Sequence, residues 1–198
     1  RDVGQVLELL VDGKTDPVAA DLARHFDLAG VYDKAAAYRL QAGGRAWRMA
    51  APEEAMAHLE RGLNLLPRLP EDQDMLRLEF DLQKALGTVC LAAEGYASPR
   101  VERAFERAGE LARVAGDPED EIPVLYGLSA YHFGRAELSK CYQEAKRLQA
   151  LCSSENADGF SLGAKLVMGA SSNHLVQFER ARDQLESVVK RYDMKKDH

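Results

Sequence analysis

The chain has 198 residues, 46% of them hydrophobic and 29% charged, which is enough apolar material for one substantial core or a continuous stack of smaller ones and argues against disorder. Its formal charge of -6, from 26 basic and 32 acidic residues without a basic run of five, leaves no electrostatic footprint for a nucleic-acid backbone. No apolar run approaches the roughly 20 residues of a membrane span, and three cysteines (Cys90, Cys141, Cys152) without a C-x-x-C pair fit a reduced, cytoplasmic protein better than a disulfide scaffold.

Apolar residues recur at helical spacing nearly everywhere, and no segment alternates as a strand would. A short helix is predicted over 3–11. Asp16-Pro17 then opens one over about 17–28, in the order cap then proline, and Gly30 closes it. The next pattern covers 33–49. Pro52 and Pro67 bound the following helix, and the acid-rich PEDQD starts one that runs to about Leu91. Further helices are predicted over 98–115, 119–133, 136–152, 157–174 and 176–191, which makes about ten helices and no strand. Between two of them, Gly95 reads as a C-terminal cap, Ser98 as an N-cap and Pro99 as the first helical residue. Arg1-Asp2-Val3 has neither a start methionine nor a signal pattern, so the chain reads as a piece of a longer protein.

An internal period organises these helices. Gly43, Gly87, Gly127 and Gly169 lie mid-helix, where glycine costs about 1 kcal/mol relative to alanine and calls for a packing reason. Their separations are 44, 40 and 42 residues. After each glycine a second helix carries three apolar or small residues spaced by four and then three: Ala55, Leu59, Gly62; Val101, Phe105, Ala108; Leu138, Tyr142, Ala145; and Ala181, Leu185, Val188. Bulky residues precede three of the glycines (Leu86, Tyr126, Met168) and are expected to fill the groove between neighbouring pairs.

The pattern over about 31–192 resembles a tetratricopeptide-type repeat with units near 42 residues, like those of bacterial regulators such as the maltose-regulon activator. The fold expected from this is all-α, a right-handed superhelical solenoid of antiparallel helix pairs. It would form one helical-repeat domain over 1–198, with units 3–29, 31–66, 71–115, 118–152 and 157–192. The wording of LARHFDLAGVYDKAAAYRLQAGGRA, HLERGLNLLPRLP, LEFDLQKALGTVCLAAEGYASPRVERAFERAGEL and PVLYGLSAYHFGRAEL is similar to the C-terminal repeat region of bacterial multidomain signalling proteins. In those, a nucleotide cyclase or DNA-binding domain and a predicted signal-transduction ATPase precede the repeats.

Motifs for chemistry are sparse. DGKTDP (12–17) holds the Gly-Lys-Thr of a phosphate-binding loop, but Glu8 stands where the motif needs glycine. Glu54 with His58, and Asp21 with His25, lie one helical turn apart, yet neither pair has a third ligand at metal spacing. No nucleophile with a companion base is present, so no enzyme activity, metal or cofactor is expected.

What remains is a surface. In tetratricopeptide arrays the first helix of each pair lines the concave face, and the resemblance, carried by the glycine register, places Trp47, Arg48, Lys84, Thr88, Leu91, Leu128, Tyr131, His132, Asn173 and His174 there. Trp47, Leu91, Tyr131 and Asn173 share one repeat position. A row of large apolar groups suits a groove for a partner segment; the competing reading buries the row between neighbouring helices as core. The function expected is a non-catalytic interaction and regulatory arm that binds a protein or another domain of its own chain. The alternative is a sensor of a small-molecule effector. Cut ends of a repeat array expose apolar faces, which adds end-to-end self-association as an expectation.

Overall fold

The computed structural model of the chain describes residues 2–10, 15–152, 158–174 and 178–191. Among them every regular element is helical: α1 (Asp2–Leu10), α2 (Ala19–Leu28), α3 (Tyr32–Arg48), α4 (Pro52–Leu63), α5 (Gln73–Glu94), α6 (Pro99–Ala115), α7 (Pro118–Gly134), α8 (Leu138–Leu151), α9 (Asp158–His174) and α10 (Phe178–Arg191). Short 3-10 turns cover Asp16–Val18 and Leu66–Arg68. Residues 11–14, which include Gly13 and Lys14 of the Gly-Lys-Thr segment, and residues 175–177, where the helix expected over 176–191 begins, lie outside the described residues.

Helix starts follow local chemistry. Pro52, Pro99 and Pro118 occupy first helical positions, where a missing N–H costs nothing. Ser98 and Asp117 cap α6 and α7 by accepting hydrogen bonds from the backbone N–H groups of Arg100 and Glu119. Gly95 takes a left-handed φ of 89°, and the adjoining Tyr96 rests on Gly134 at the end of α7, where an added Cβ would lie 2.5 Å from the Tyr96 Cβ.

The chain divides into two compact units, Arg1–Ala93 and Glu94–His198. In the first, α2 packs on α3 and α3 on α4. Phe26 stacks on Tyr38 with ring centroids 5.7 Å apart, and the Glu8 carboxylate accepts hydrogen bonds from Lys34 and Tyr38, which fastens α1 to α3. Burial and the Glu8 carboxylate together push the Tyr38 phenol up to about 12. Leu82 of α5 approaches α4 at Gly62, where a Cβ would stand 2.8 Å from its Cδ2.

In the second unit α6 packs on α7, α7 on α8, α8 on α9 and α9 on α10, and α7 also touches α9. Ile122, Leu125, Leu148, Cys152 and Ala164 form a cluster shared by α7, α8 and α9. Tyr126 meets Phe160 and Gly163 near the start of α9, while Phe133 meets His174 at its end, so α7 and α9 run in the same direction.

Three turns share a left-handed residue. After α3, α5 and α7 the backbone passes through a left-handed residue, Ala50 (φ 56°), Gly95 (φ 89°) and Ala136 (φ 58°). The Ala50 and Ala136 turns are identical Schellman motifs, with bonds Ala50 N–H to Trp47 and Ala51 N–H to Ala46 matched by Ala136 N–H to Phe133 and Glu137 N–H to His132. Alanine in this region is strained where glycine is not. Ala136→Gly is therefore expected to leave the fold intact and raise stability by up to about 1 kcal/mol in urea unfolding.

The same turns correct the third unit. Counting back seven residues from Ala50 reaches Gly43, and from Ala136 it reaches the fully buried Ser129, not Gly127. Counting forward five reaches Ala55 and Cys141, so the third triad is Cys141, Ala145 and Leu148, all fully buried, in place of Leu138, Tyr142 and Ala145. Gly43 and Gly169 do play equivalent parts. A Cβ on Gly43 would meet the Leu59 Cγ at 2.8 Å and the Ala55 carbonyl at 3.3 Å, and on Gly169 the Leu185 Cγ at 2.7 Å and the Ala181 carbonyl at 3.4 Å. Gly127 instead faces back to Phe105 of α6.

Candidate functional site

Moving the third register by two residues changes which side chains share a face. On α3, Trp47 and Arg48 are exposed, with Trp47 at 38% of its free surface. Lys84 and Leu91 are half-buried on α5 and Thr88 is exposed, its hydroxyl donating to the Lys84 carbonyl. Lys84 pairs with Asp81 at 2.9 Å and lies over the Phe80 ring. On α9, Asn173 and His174 are exposed.

On α7 the expected residues are more enclosed. Leu128 is half-buried, and Tyr131 (2% exposed) turns toward α6, its hydroxyl donating to the Glu102 carboxylate at 2.8 Å. His132 is buried, and its Nδ1 lies 3.0 Å from the Glu137 carboxylate at the following turn. By the turn count Phe133, 36% exposed, takes the place of Trp47 on α7, and Tyr126, seven residues earlier on the same helix, is 37% exposed. In the first unit Trp47 is exposed on α3 and Leu91 is half-buried on α5; in the second, Tyr126 and Phe133 are exposed on α7, and Leu166 and His174 on α9.

Glu137 anchors the turn after α7. It accepts hydrogen bonds from Lys140 (2.9 Å), Arg135 (3.2 Å) and His132, and these hold its carboxyl down at about 2, from an ordinary 4.5. The stabilisation is complete above pH 4.5, the value in the unfolded chain, and is lost as pH falls toward 2. Between pH 5 and pH 3 the urea midpoint of the wild type is expected to drop further than that of Glu137→Gln.

A second feature lies within the first unit. A cleft of about 240 Å³ has a floor of Ala20, Ala42 and Ala46, with Met49 at its edge. Its polar lining is Asp16, Arg45, Glu54 and His58. Asp16 is paired with Arg48 at 2.6 Å. Arg45 donates only to the Pro17 carbonyl, at 3.3 Å, and among the described residues it has no carboxylate partner. His58 is 9% exposed, and its Nδ1 lies 3.1 Å from Nη1 of Arg39, itself 6% exposed. A guanidinium can only donate, so Nδ1 accepts and the ring proton sits on Nε2. Burial first, then the Arg39 charge, hold the imidazole below its ordinary pKa, so it is neutral. The Glu54 carboxylate stands 3.7 Å from Nε2, beyond hydrogen-bond reach. Arg39 Nε has no partner.

The glycine register could not reveal this cleft, because its groups come from three separate segments. One signal was present: Arg39 sits one turn from Ala35 and from Gly43, a charge inside a row of small, buried residues.

Among the described residues no group of three or more His, Cys, Asp or Glu could hold a metal ion, and no helix is long and apolar enough to cross a membrane. No family model matches the chain. It is 23% identical over 177 residues to an uncharacterized protein of Rhizobium meliloti (strain 1021). The match covers 88% of this chain but only 17% of the relative, so the chain spans about a sixth of that much longer protein.

Proposed function

We propose that the chain is a non-catalytic helical-repeat module of the tetratricopeptide type, the regulatory arm of a large bacterial signalling or transcription-regulating ATPase. The observation that carries this reading is the set of exposed aromatic side chains, Trp47 on α3 of the first unit and Tyr126 and Phe133 on α7 of the second. Exposed aromatic rows of this kind are the composition of docking surfaces, where Trp and Tyr dominate the binding energy. The matching Schellman turns and the equivalent glycine contacts of Gly43 and Gly169 support a repeat architecture that would continue as a right-handed solenoid. The extra length of the Rhizobium meliloti relative supports a setting in which such a stretch is one part of a multidomain chain.

In this reading the partner is a protein or a domain of the same polypeptide, met in the cytoplasm, and not nucleic acid or membrane. The single tryptophan tests it. Trp47 emission is expected to be quenched by acrylamide in the isolated chain and protected when the region flanking it in its gene is added. A Trp47 whose quenching ignores that addition would argue against docking on this face.

A second reading, sensing of a small-molecule effector, is favoured by the cleft of the first unit, which has the convergent polar groups of a ligand site.

A further inference from the structure

The Arg39–His58 contact bridges α3 and α4 and joins a permanent cation to a group that titrates near neutrality. Both side chains are buried. The two helices are in close contact on either side of the pair, where Gly43 admits Leu59 and Gly62 admits the Arg39 stem. A guanidinium accepts no hydrogen bond, so the contact exists only while Nδ1 keeps its lone pair. A proton on Nδ1 turns the pair into two facing donors of like charge. The ring then has a second partner at hand, because the exposed Glu54 carboxylate, one turn earlier on α4, already stands 3.7 Å from Nε2 and attracts an imidazolium more strongly than a neutral ring. For Arg39 the loss adds to one already present, since its Nε has no partner.

We propose that Arg39 and His58 form a proton-operated latch between α3 and α4: with the ring neutral, Nδ1 holds Arg39 and the seam is closed, and with the ring protonated, His58 exchanges Arg39 for Glu54 and α4 loosens from α3. The cleft is the edge at which the helices part, since α3 lines it with Ala42 and Ala46 and α4 with Glu54 and His58. The surrounding charges come from every neighbouring element. From α2, Asp27 favours the Arg39 cation. Asp16, in the turn before α2, is committed to Arg48, and Arg45 of α3 lines the cleft. On α4, Arg61 opposes a charged His58 and Glu54 favours it. Arg68, after α4, lies over the Tyr32 ring, and α5 meets α4 at Gly62 through the uncharged Leu82. Burial and Arg39 outweigh Glu54 and hold the imidazole below its ordinary 6.5. The closed state is therefore fully favoured above pH 6.5 and is lost as pH falls through the folded value. The latch is independent of the docking and effector readings.

The test is an NMR titration of the 198-residue chain from about pH 7.5 to about pH 4, following the His58 ring nitrogens. Amide exchange across α4 is measured over the same range and expressed as protection, so that the intrinsic pH dependence of exchange drops out; α6 serves as the internal reference. The His58 midpoint is expected below 6.5, and α4 is expected to lose about tenfold in protection for each pH unit of that depression once the ring is charged, while α6 keeps its own. His58→Gln, whose amide oxygen accepts from Arg39 without titrating, is expected to hold α4 protection flat. Arg39→Met is expected to raise the His58 midpoint and to shrink the acid loss in α4 in proportion. A wild-type midpoint at or above 6.5, or an Arg39→Met midpoint equal to wild type, overturns the latch. So does α4 protection that does not change through the His58 midpoint, or an acid loss that His58→Gln retains. The ring signals decide the first two results whatever the stability of His58→Gln.

Discussion

Gly127→Ala is expected to destabilise the second unit by about 1–3 kcal/mol, although alanine is the better helix former by about 1 kcal/mol. The new Cβ would lie 2.3 Å from Cε2, 2.4 Å from Cζ and 2.6 Å from Cδ2 of Phe105, a separation that packed atoms cannot keep. The ring cannot swing clear, because Phe105 is itself buried between helices, and overpacking a close-packed core forces strained rotamers or backbone shifts. The control is Gly44→Ala on α3, where the nearest atom, the mobile tip of Arg48, is 3.6 Å away. That substitution is expected to stabilise by up to about 1 kcal/mol through propensity alone. Equilibrium urea unfolding separates the two signs, and a stabilised Gly127→Ala protein would show that α6 and α7 do not meet at this glycine.

The second large effect concerns Arg39 and His58. His58→Ala is expected to cost about 2–3 kcal/mol, because it removes the acceptor of a buried guanidinium whose Nε already lacks a partner. Arg39→Met is expected to cost less than about 1 kcal/mol or to stabilise, since an unbranched apolar side chain keeps the packing of the Arg39 stem against Gly62 and removes the buried charge. The order of the two urea midpoints is the readout, and Arg39→Met falling below His58→Ala would contradict it. His58 also sets a pH signature. Its folded pKa is held below the ordinary 6.5, so its contribution is complete above that value and is lost as pH falls through the folded pKa.

Most of the helical frame could be read from the chain because its punctuation is chemical. Pro52, Pro99 and Pro118 start helices, Ser98 and Asp117 cap them, and Gly30, Gly95 and Gly116 end them in left-handed conformations. The register of the third pair was not legible for an equally physical reason. The position that glycine fills in α3 is taken by Ser129 in α7, and Gly127, two residues earlier, is a glycine for a different neighbour, Phe105. The two turns that would have fixed the count run through Ala50 and Ala136, and alanine gives no local sign of a positive φ. That two-residue slip offered Tyr131 and His132 as exposed, whereas α7 buries both and exposes Tyr126 and Phe133. The cleft was hidden because Asp16, Arg45 and Glu54 converge only after α2, α3 and α4 have packed. The i, i+4 spacing of Glu54 and His58 was visible, but the buried Arg39 that sets the histidine's proton was not connected to it.

The exposed Tyr126 and Phe133 of α7 are central to the proposed docking, and one affinity measurement tests their part most directly. The chain, and its Phe133→Ser, Tyr126→Ser and Tyr131→Phe variants, would be titrated with the flanking region encoded in the same gene, each variant first shown to unfold cooperatively. At least tenfold weaker binding is expected for Phe133→Ser and for Tyr126→Ser, and unchanged affinity for Tyr131→Phe, whose hydroxyl is committed to Glu102 inside the fold. Wild-type affinity in both serine variants, or a loss confined to Tyr131→Phe, would contradict it.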